Sequence, residues 1–402
     1  MWLPTVEVAM FGGIPNVGKV KRGQVFTRRE IMRIITCEQV SDGHPDKICD
    51  TIGDRIVTEI LRHDKKARVA VEVLIKDNHI IIAGEVTTSY KPDYQALVDS
   101  VFERIGKDRL GYDACNLDIR VLISQQSPDI ALGVDTGGAG DQGMVYGYAT
   151  NETPELLPIP FAVATKFLQL LKDNPSEMLR ADAKAQVSFD YDSGKITTFL
   201  CSVQHSPDVE PEDFRVIIEN LMIAAATDYG MNTDFKKLVN PTGRFVIGGP
   251  YADCGVTGRK LACDTYGGVG HIGGGAMSGK DPSKVDRSGA YMARCIAKNI
   301  VFAELADECQ VAISYAIGKA DPVAVQIDTF GTGKVSDEVI AKAVNDVFNM
   351  RPAAIINEFC LRNCSFAEYS DYGHFGNGYP TWEHTDKYRE LREAVKRYED
   401  NE

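Results

Sequence analysis

Read for its alternation of apolar and polar positions, the chain yields one order of elements three times. Isoleucines at 48, 52, 56 and 60 recur every four residues and predict an amphipathic helix from Pro45 to His63. Two runs with a period of two follow, predicting strands over Ala67–Lys76 and His79–Ser89, and then a helix over Asp93–Ile105. In the second third a helix over Phe161–Lys172 precedes strands Lys184–Tyr191 and Lys195–Gln204, which turn at Asp192-Ser193-Gly194. A helix over Pro211–Ala226 closes that third. The last third predicts a helix over Arg287–Ala306, strands Gln310–Ile317 and Pro322–Phe330, and a helix begun by Ser336 and running to Asn349.

Helix–strand–strand–helix units at roughly 115–130-residue spacing predict an α+β protein of three pseudo-repeated α/β domains. Each domain is expected to be a mixed, largely antiparallel sheet with helices on one face. The expected limits are 32–130, 138–247 and 248–390, with strands open to exchange between domains. A doubly wound parallel sheet is disfavoured, because no strand–helix–strand alternation runs through the chain. Within the first hairpin, Glu72 and Glu85 interrupt apolar runs. A two-residue turn at Asp77-Asn78 sets Glu72 opposite Ala83 and Glu85 opposite Ala70, on one sheet face, whereas a three-residue turn separates them. The plain alternative is two exposed residues on half-solvated strands.

Composition narrows the classes. The 402 residues are 44% hydrophobic and 25% charged, the usual balance of a soluble globular protein. A net charge of −13 argues against nucleic acid as a general partner. No apolar run approaches the ~18–20 residues of a membrane span, so no membrane partner is expected. Ten cysteines without a CxxC pair indicate neither a zinc site nor a disulfide framework, and reduced thiols suit a cytoplasmic location. Residues 1–31 lack the marks of a secretory signal and are expected to be a dispensable extension, with Met32 as a natural start. Inside that extension Gly13–Val20 approaches a P-loop, but Val20 stands where a metal-binding Ser or Thr is required, so it is rejected.

Candidate chemistry concentrates in three clusters. Gly273–Ser288 reads GGGAMSGKDPSKVDRS: three glycines free the backbone N–H groups to close on an anion. Lys280, Lys284 and Arg287 add cations, and Asp281 and Asp286 add carboxylates suited to a hard divalent metal. Ser41-Asp42-Gly43-His44-Pro45-Asp46-Lys47 sets His44, Asp46 and Lys47 at a helix start, where Pro45 suits the first position and Ser41 or Asp42 can cap. Gly138–Gly143, GAGDQG, is a glycine cradle around Asp141. Together they read as a nucleotide-phosphate site. A general base for a kinase-type reaction is not evident, and the phosphate lysines and metal aspartates that an inactive paralogue would lack are present.

With GHPDK at 43–47, GAGDQG at 138–143, NPTGRFVIGGP at 240–250, TGRK at 257–260, DTYGG at 264–268 and the Gly273–Ser288 run, the sequence resembles the S-adenosylmethionine synthetases from about Met32 to Lys387. The resemblance implies that ATP, L-methionine and water give S-adenosylmethionine, phosphate and diphosphate. It implies catalytic roles for His44, Lys184, Arg259, Lys280 and Asp141. ATP contacts fall to His44, Asp182, Lys184, Arg244, Phe245, Asp253, Arg259, Lys260, Ala276 and Lys280, with Phe245 stacking on adenine and Ile317 walling its pocket. Methionine contacts fall to Glu85, Gln126, Asp253 and Lys284. Asp46 and Asp286 are implied ligands of Mg²⁺, two per site, and Glu72 with Ser278 of K⁺. A homodimer or homotetramer with shared sites is implied, with Glu85, Gln126 and the GHPDK cluster from one chain and Lys184, Arg259 and Lys280 from the other. Here only 131–137 fills the place of a longer acidic gating loop, and Ile272 and Met277 stand where the family usually has His and Phe. His374 and Phe375 in YGHFGN are assigned to structure.

Overall fold

The computed structural model describes residues 34–112, 116–125 and 138–400. In chain order the main elements are β1 (Ile34–Val40), α1 (Pro45–His63), β2 (Arg68–Lys76), β3 (His79–Thr87), α2 (Tyr94–Ile105), β4 (Asp118–Ser124) and β5 (Gly143–Thr150). Then follow α3 (Ile159–Asp173), β6 (Leu179–Asp190), β7 (Lys195–His205), α4 (Pro211–Asp228), β8 (Lys236–Val239) and β9 (Gly255–Val256). The last set is α5 (Val285–Phe302), β10 (Glu308–Tyr315), β11 (Ala324–Asp328), α6 (Asp337–Val347), α7 (Pro352–Glu358) and α8 (Tyr388–Glu399).

The expected unit appears three times, as α1-β2-β3-α2, α3-β6-β7-α4 and α5-β10-β11-α6. Each hairpin founds one sheet, ordered β4-β3-β2-β9, β1-β6-β7-β8 and β11-β10-β5. The first strand of every hairpin pairs antiparallel with a strand from elsewhere in the sequence: β2 with β9, β6 with β1, β10 with β5. Periodicity within one segment cannot reveal such partners, and the apolar pattern predicts none of β1, β4, β5, β8 and β9. β5 carries Gly143 and Gly147, which weaken any strand signal. Two of the added pairs, β3–β4 and β7–β8, are parallel, so the sheets are mixed.

Helix α1 shows why the units hold. Ile48, Ile52, Ile56 and Ile60 are all fully buried and pack in one core with Val69, Val71, Val73 and Ile75 of β2. Burying each such side chain contributes about 1.5–3 kcal/mol. The β2–β3 turn is the two-residue one: Lys76 pairs with His79, Glu72 with Ala83 and Ala70 with Glu85. Both glutamates therefore stand on the sheet face turned away from α1, and both are exposed. That face also carries Ala70, Leu74, Ile81, Ala83 and the well-exposed Leu122, so it is apolar around the two carboxylates.

Close backbone approach sets the third unit. A Cβ on Gly147 of β5 would lie 2.0 Å from the Ala293 carbonyl of α5, so strand and helix touch there without a side chain between them. Gly147→Ala is expected to cost at least about 2 kcal/mol, read as a lowered urea midpoint with an unchanged m-value. Stability equal to the parent would show that β5 and α5 can separate.

Candidate active site

His44 caps α1: its Nδ1 accepts the Asp46 amide at 3.2 Å. Ser41 does not cap, because its hydroxyl donates to the Ala181 carbonyl at 2.6 Å and accepts from the Ala183 amide, joining the GHPDK loop to β6. Asp42 faces Lys172 instead, at 2.7 Å. Below the cap, Asp46, Asp50 and Asp54 recur every four residues and so share one helix face, all fully buried. Each accepts a backbone N–H from a glycine-containing segment: Val256 of β9 at 2.9 Å, Gly258 just after it at 2.8 Å and Gly279 at 3.0 Å respectively. Each also has a cation. Lys260 Nζ lies 2.6 Å from Asp46, Lys47 bridges Asp50 and Asp264, and Arg287 pairs with Asp54. Burial pushes the Asp50 carboxyl up to about 7 and raises Asp54. Burial also raises Asp46, but the hydrogen bonds from Lys260 and Val256 outweigh it and hold that carboxyl below its ordinary value.

Around the cap a cationic group assembles. Burial, then the charges of Lys260 and Lys184, push the His44 imidazole down to about 3, so it is neutral at pH 7. Arg259 Nε lies 3.3 Å from Asp46, and its Nη2 is 3.7 Å from Asp253. Lys184 is exposed on β6, two residues from the buried Asp182. Asp182 Oδ2 accepts the Gly249 amide at 2.8 Å, while Oδ1 finds no partner among the described residues. Arg244 and Phe245 precede that turn. Arg244 is exposed, and the Phe245 amide donates to His205 Nε2 at 3.0 Å, leaving its ring half-buried.

A second group occupies the open face of β2–β3. Ala70 is flanked by Glu85 on one side and Lys280 on the other. Lys280 Nζ lies 2.7 Å from Asp286. A Cβ on Gly275 would fall 2.2 Å from the Asp286 carboxylate carbon, so that glycine lies directly against the carboxylate. Gly143 sits beside Asp286 as well, which brings the exposed Asp141 to the same edge. Burial, then Asp50 and Glu85, raise the Glu72 carboxyl against the opposing charge of Lys280. Lys284 is paired with buried Asp281 at 2.7 Å, and Ser278 Oγ is 3.3 Å from His374 Nε2. Ile317 is exposed and its backbone pairs with Ala139. Ala276 lies against Gly258, between the two groups.

Gln126 and the short 131–137 segment lie outside the described residues. Of the rest, two groups form within the chain, and they differ from the implied sets. The GHPDK residues lie with Lys184 and Arg259, and Glu85 lies with Lys280, because β6 abuts the cap whereas the Gly273–Ser288 run pairs with β2. No hydrogen bond or ion pair joins the two groups among the described residues, nor do three or more His, Cys, Asp or Glu there gather as a metal site. Asp46 and Asp286 each offer single carboxylates, which fit an ion taking its remaining ligands from phosphate and water. The column Asp46-Asp50-Asp54 is not among the expected site residues, although its spacing of four is present in the sequence.

Asp182 generates a pH prediction for the ligand-free protein. Burial raises its carboxyl to about 6 from 3.8. A raised carboxyl favours the folded state fully below the unfolded value, and that advantage is lost as pH rises through about 6. Asp182→Asn is therefore expected to gain on the order of 2–3 kcal/mol over the parent between pH 4 and 7. A difference independent of pH in urea titrations would contradict this.

The chain matches the S-adenosylmethionine synthetase N-terminal domain over residues 32–128, the central domain over 136–245 and the C-terminal domain over 247–384. It is 46% identical over 376 residues to the S-adenosylmethionine synthase of Mesoplasma florum, covering 90% of this chain and 99% of that protein. It is likewise 46% identical over 381 residues to the S-adenosylmethionine synthase of Treponema denticola, covering 90% and 98%. With three domain types matched in order and both cationic groups built on the matched segments, the chain belongs to the S-adenosylmethionine synthetase family.

Proposed function

We propose that this protein makes S-adenosylmethionine from ATP and L-methionine. The observation that carries the reading is local: a chain of net charge −13 gathers Lys184, Arg259 and Lys260 around the neutral His44 cap, and Lys280 beside Asp286. The methionine sulfur lone pair forms a bond to ATP C5′, the C5′–O bond breaks, and its electron pair leaves on the triphosphate. Water then splits the triphosphate into phosphate and diphosphate. No protein nucleophile is required; the protein aligns sulfur, carbon and oxygen and meets the negative charge gathering on that oxygen.

His44 suits that last task. Its Nδ1 accepts the Asp46 amide, so the neutral ring carries its proton on Nε2, available to donate to the leaving oxygen. Lys184, Arg259, Lys260 and Lys280 are assigned to the phosphates, Phe245 and Arg244 to the nucleoside, and Glu85, Asp253, Lys284 and Gln126 to methionine. Asp141 is assigned to the edge of the site. Asp46 and Asp286 would hold Mg²⁺, two ions per site, and Glu72 with Ser278 would lie at K⁺; Mg²⁺ when bound supplies neutralisation of the phosphate charge. No helix among the described residues is long and apolar enough to cross a membrane, and a cytoplasmic location is part of the proposal.

The open face of β2–β3, apolar yet bearing Glu72 and Glu85, suggests the partner: a second copy laid face to face, each supplying one cationic group to the other's site. The direct assay is incubation with ATP, methionine, Mg²⁺ and K⁺, with a sulfonium product sought by mass spectrometry. Asp286→Asn is expected to lower kcat about 10²–10³-fold with the fold intact, and an unimpaired rate would remove Asp286 from the site. Mixing inactive Lys184→Ala with inactive Lys280→Ala, with subunit exchange verified by mass, should restore about a quarter of the wild-type rate, since one site in each heterodimer is then intact. Glu85→Ala mixed with Lys280→Ala should stay inactive, because both changes fall in one group. The opposite pattern would sink this assignment of groups to subunits.

A further inference from the structure

Lys280 is carried on a segment gripped from two sides. Gly279, just before it, has φ of 80°, and a Cβ there would lie 2.1 Å from the Val71 carbonyl oxygen, so the segment is pressed onto β2. The Val71 amide donates to the Gly279 carbonyl, and the Asp281 amide to that of Val69, both at 2.9 Å. These bonds hold one side. On the other side Asp54 accepts the Gly279 amide at 3.0 Å and pairs with Arg287. Arg287 Nη1 donates to the Tyr291 hydroxyl at 2.9 Å, that hydroxyl lies 2.8 Å from His374 Nδ1, and His374 Nε2 lies 3.3 Å from Ser278 Oγ.

All five side chains are buried, and Trp382 stacks on Tyr291 with ring centroids 4.0 Å apart while its Nε1 donates to the His374 carbonyl. Direction follows from the donor inventory. A guanidinium can only donate, so the Tyr291 oxygen accepts from it and its own hydrogen is turned to His374 Nδ1. The imidazole then carries its hydrogen on Nε2 and donates to Ser278. Bonds therefore run one way, from Arg287 through Tyr291 and His374 to the residue two before Lys280.

We propose that Tyr291 and His374 are positioning residues: with Asp54 and Arg287 they hold Ser278-Gly279 at one height over β2, so that Lys280 meets the phosphate chain without rearrangement. The inference rests on the role of Lys280 given above. It treats the YGHFGN segment, about a hundred residues downstream, as part of the support of the site rather than as packing alone.

Tyr291→Phe tests it with the least disturbance, since the ring can stay stacked on Trp382. The expected result is a kcat about tenfold lower with KM for ATP and methionine within about twofold, because alignment in the transition state is lost rather than binding. His374→Gln, whose amide nitrogen can take the place of Nε2, should keep most of the rate, while His374→Phe should lose about as much as Tyr291→Phe. Hydrogen exchange followed by mass spectrometry on a peptide spanning Gly279 should quicken in Tyr291→Phe, and this reading needs no turnover. Unchanged kcat or unaltered exchange would overturn the proposal. An inactive wild-type protein would sink the proposed function alone, with the exchange result still deciding whether this chain of bonds holds the loop.

Discussion

Three carboxylates buried on one face of α1 impose the constraint that the site depends on. A buried carboxylate is costly unless hydrogen-bonded and paired with a cation. Asp46, Asp50 and Asp54 meet that demand with amides from Val256, Gly258 and Gly279 and with Lys260, Lys47 and Arg287. Two loops remote in sequence are thereby fastened along three turns of one helix. Once their amides face the helix, Arg259 beside the first segment and Lys280 beside the second are held in place.

The same economy of charge explains how an acidic chain handles a polyphosphate. Its cations are not spread as a basic field but set against individual carboxylates. Asp46 holds Lys260 and Arg259, and Asp286 holds Lys280. His44 contributes in a different way. Burial and the neighbouring lysines keep its ring neutral, so it adds no further charge to the group.

Sheet architecture supplies the rest. Each hairpin borrows a flanking strand from another third of the chain, so no third completes a sheet alone. Folding is thereby coupled across the molecule, and residues of the first third meet those of the last at β2–β9 and at the Ala70–Lys280 bridge. Helices cover one face of the first hairpin, and its open face is left apolar around Glu72 and Glu85.

Local patterning determined a great deal. The isoleucine repeat marked α1 from Pro45 to His63 with both ends in place, and the two-residue turn at Asp77-Asn78 was enough to put Glu72 and Glu85 on one face. Glycine runs beside lysines and aspartates marked the anion-binding segments, because that chemistry needs exposed amides and charge within a few residues. Tertiary structure alone decided which segments meet. The flanking strands, the cap by His44 in place of Ser41, the grouping of Lys184 with His44 and of Glu85 with Lys280, and the line from Arg287 to His374 all depend on contacts between distant parts of the chain. Short-range periodicity records which face of an element is buried, but not what is buried against it.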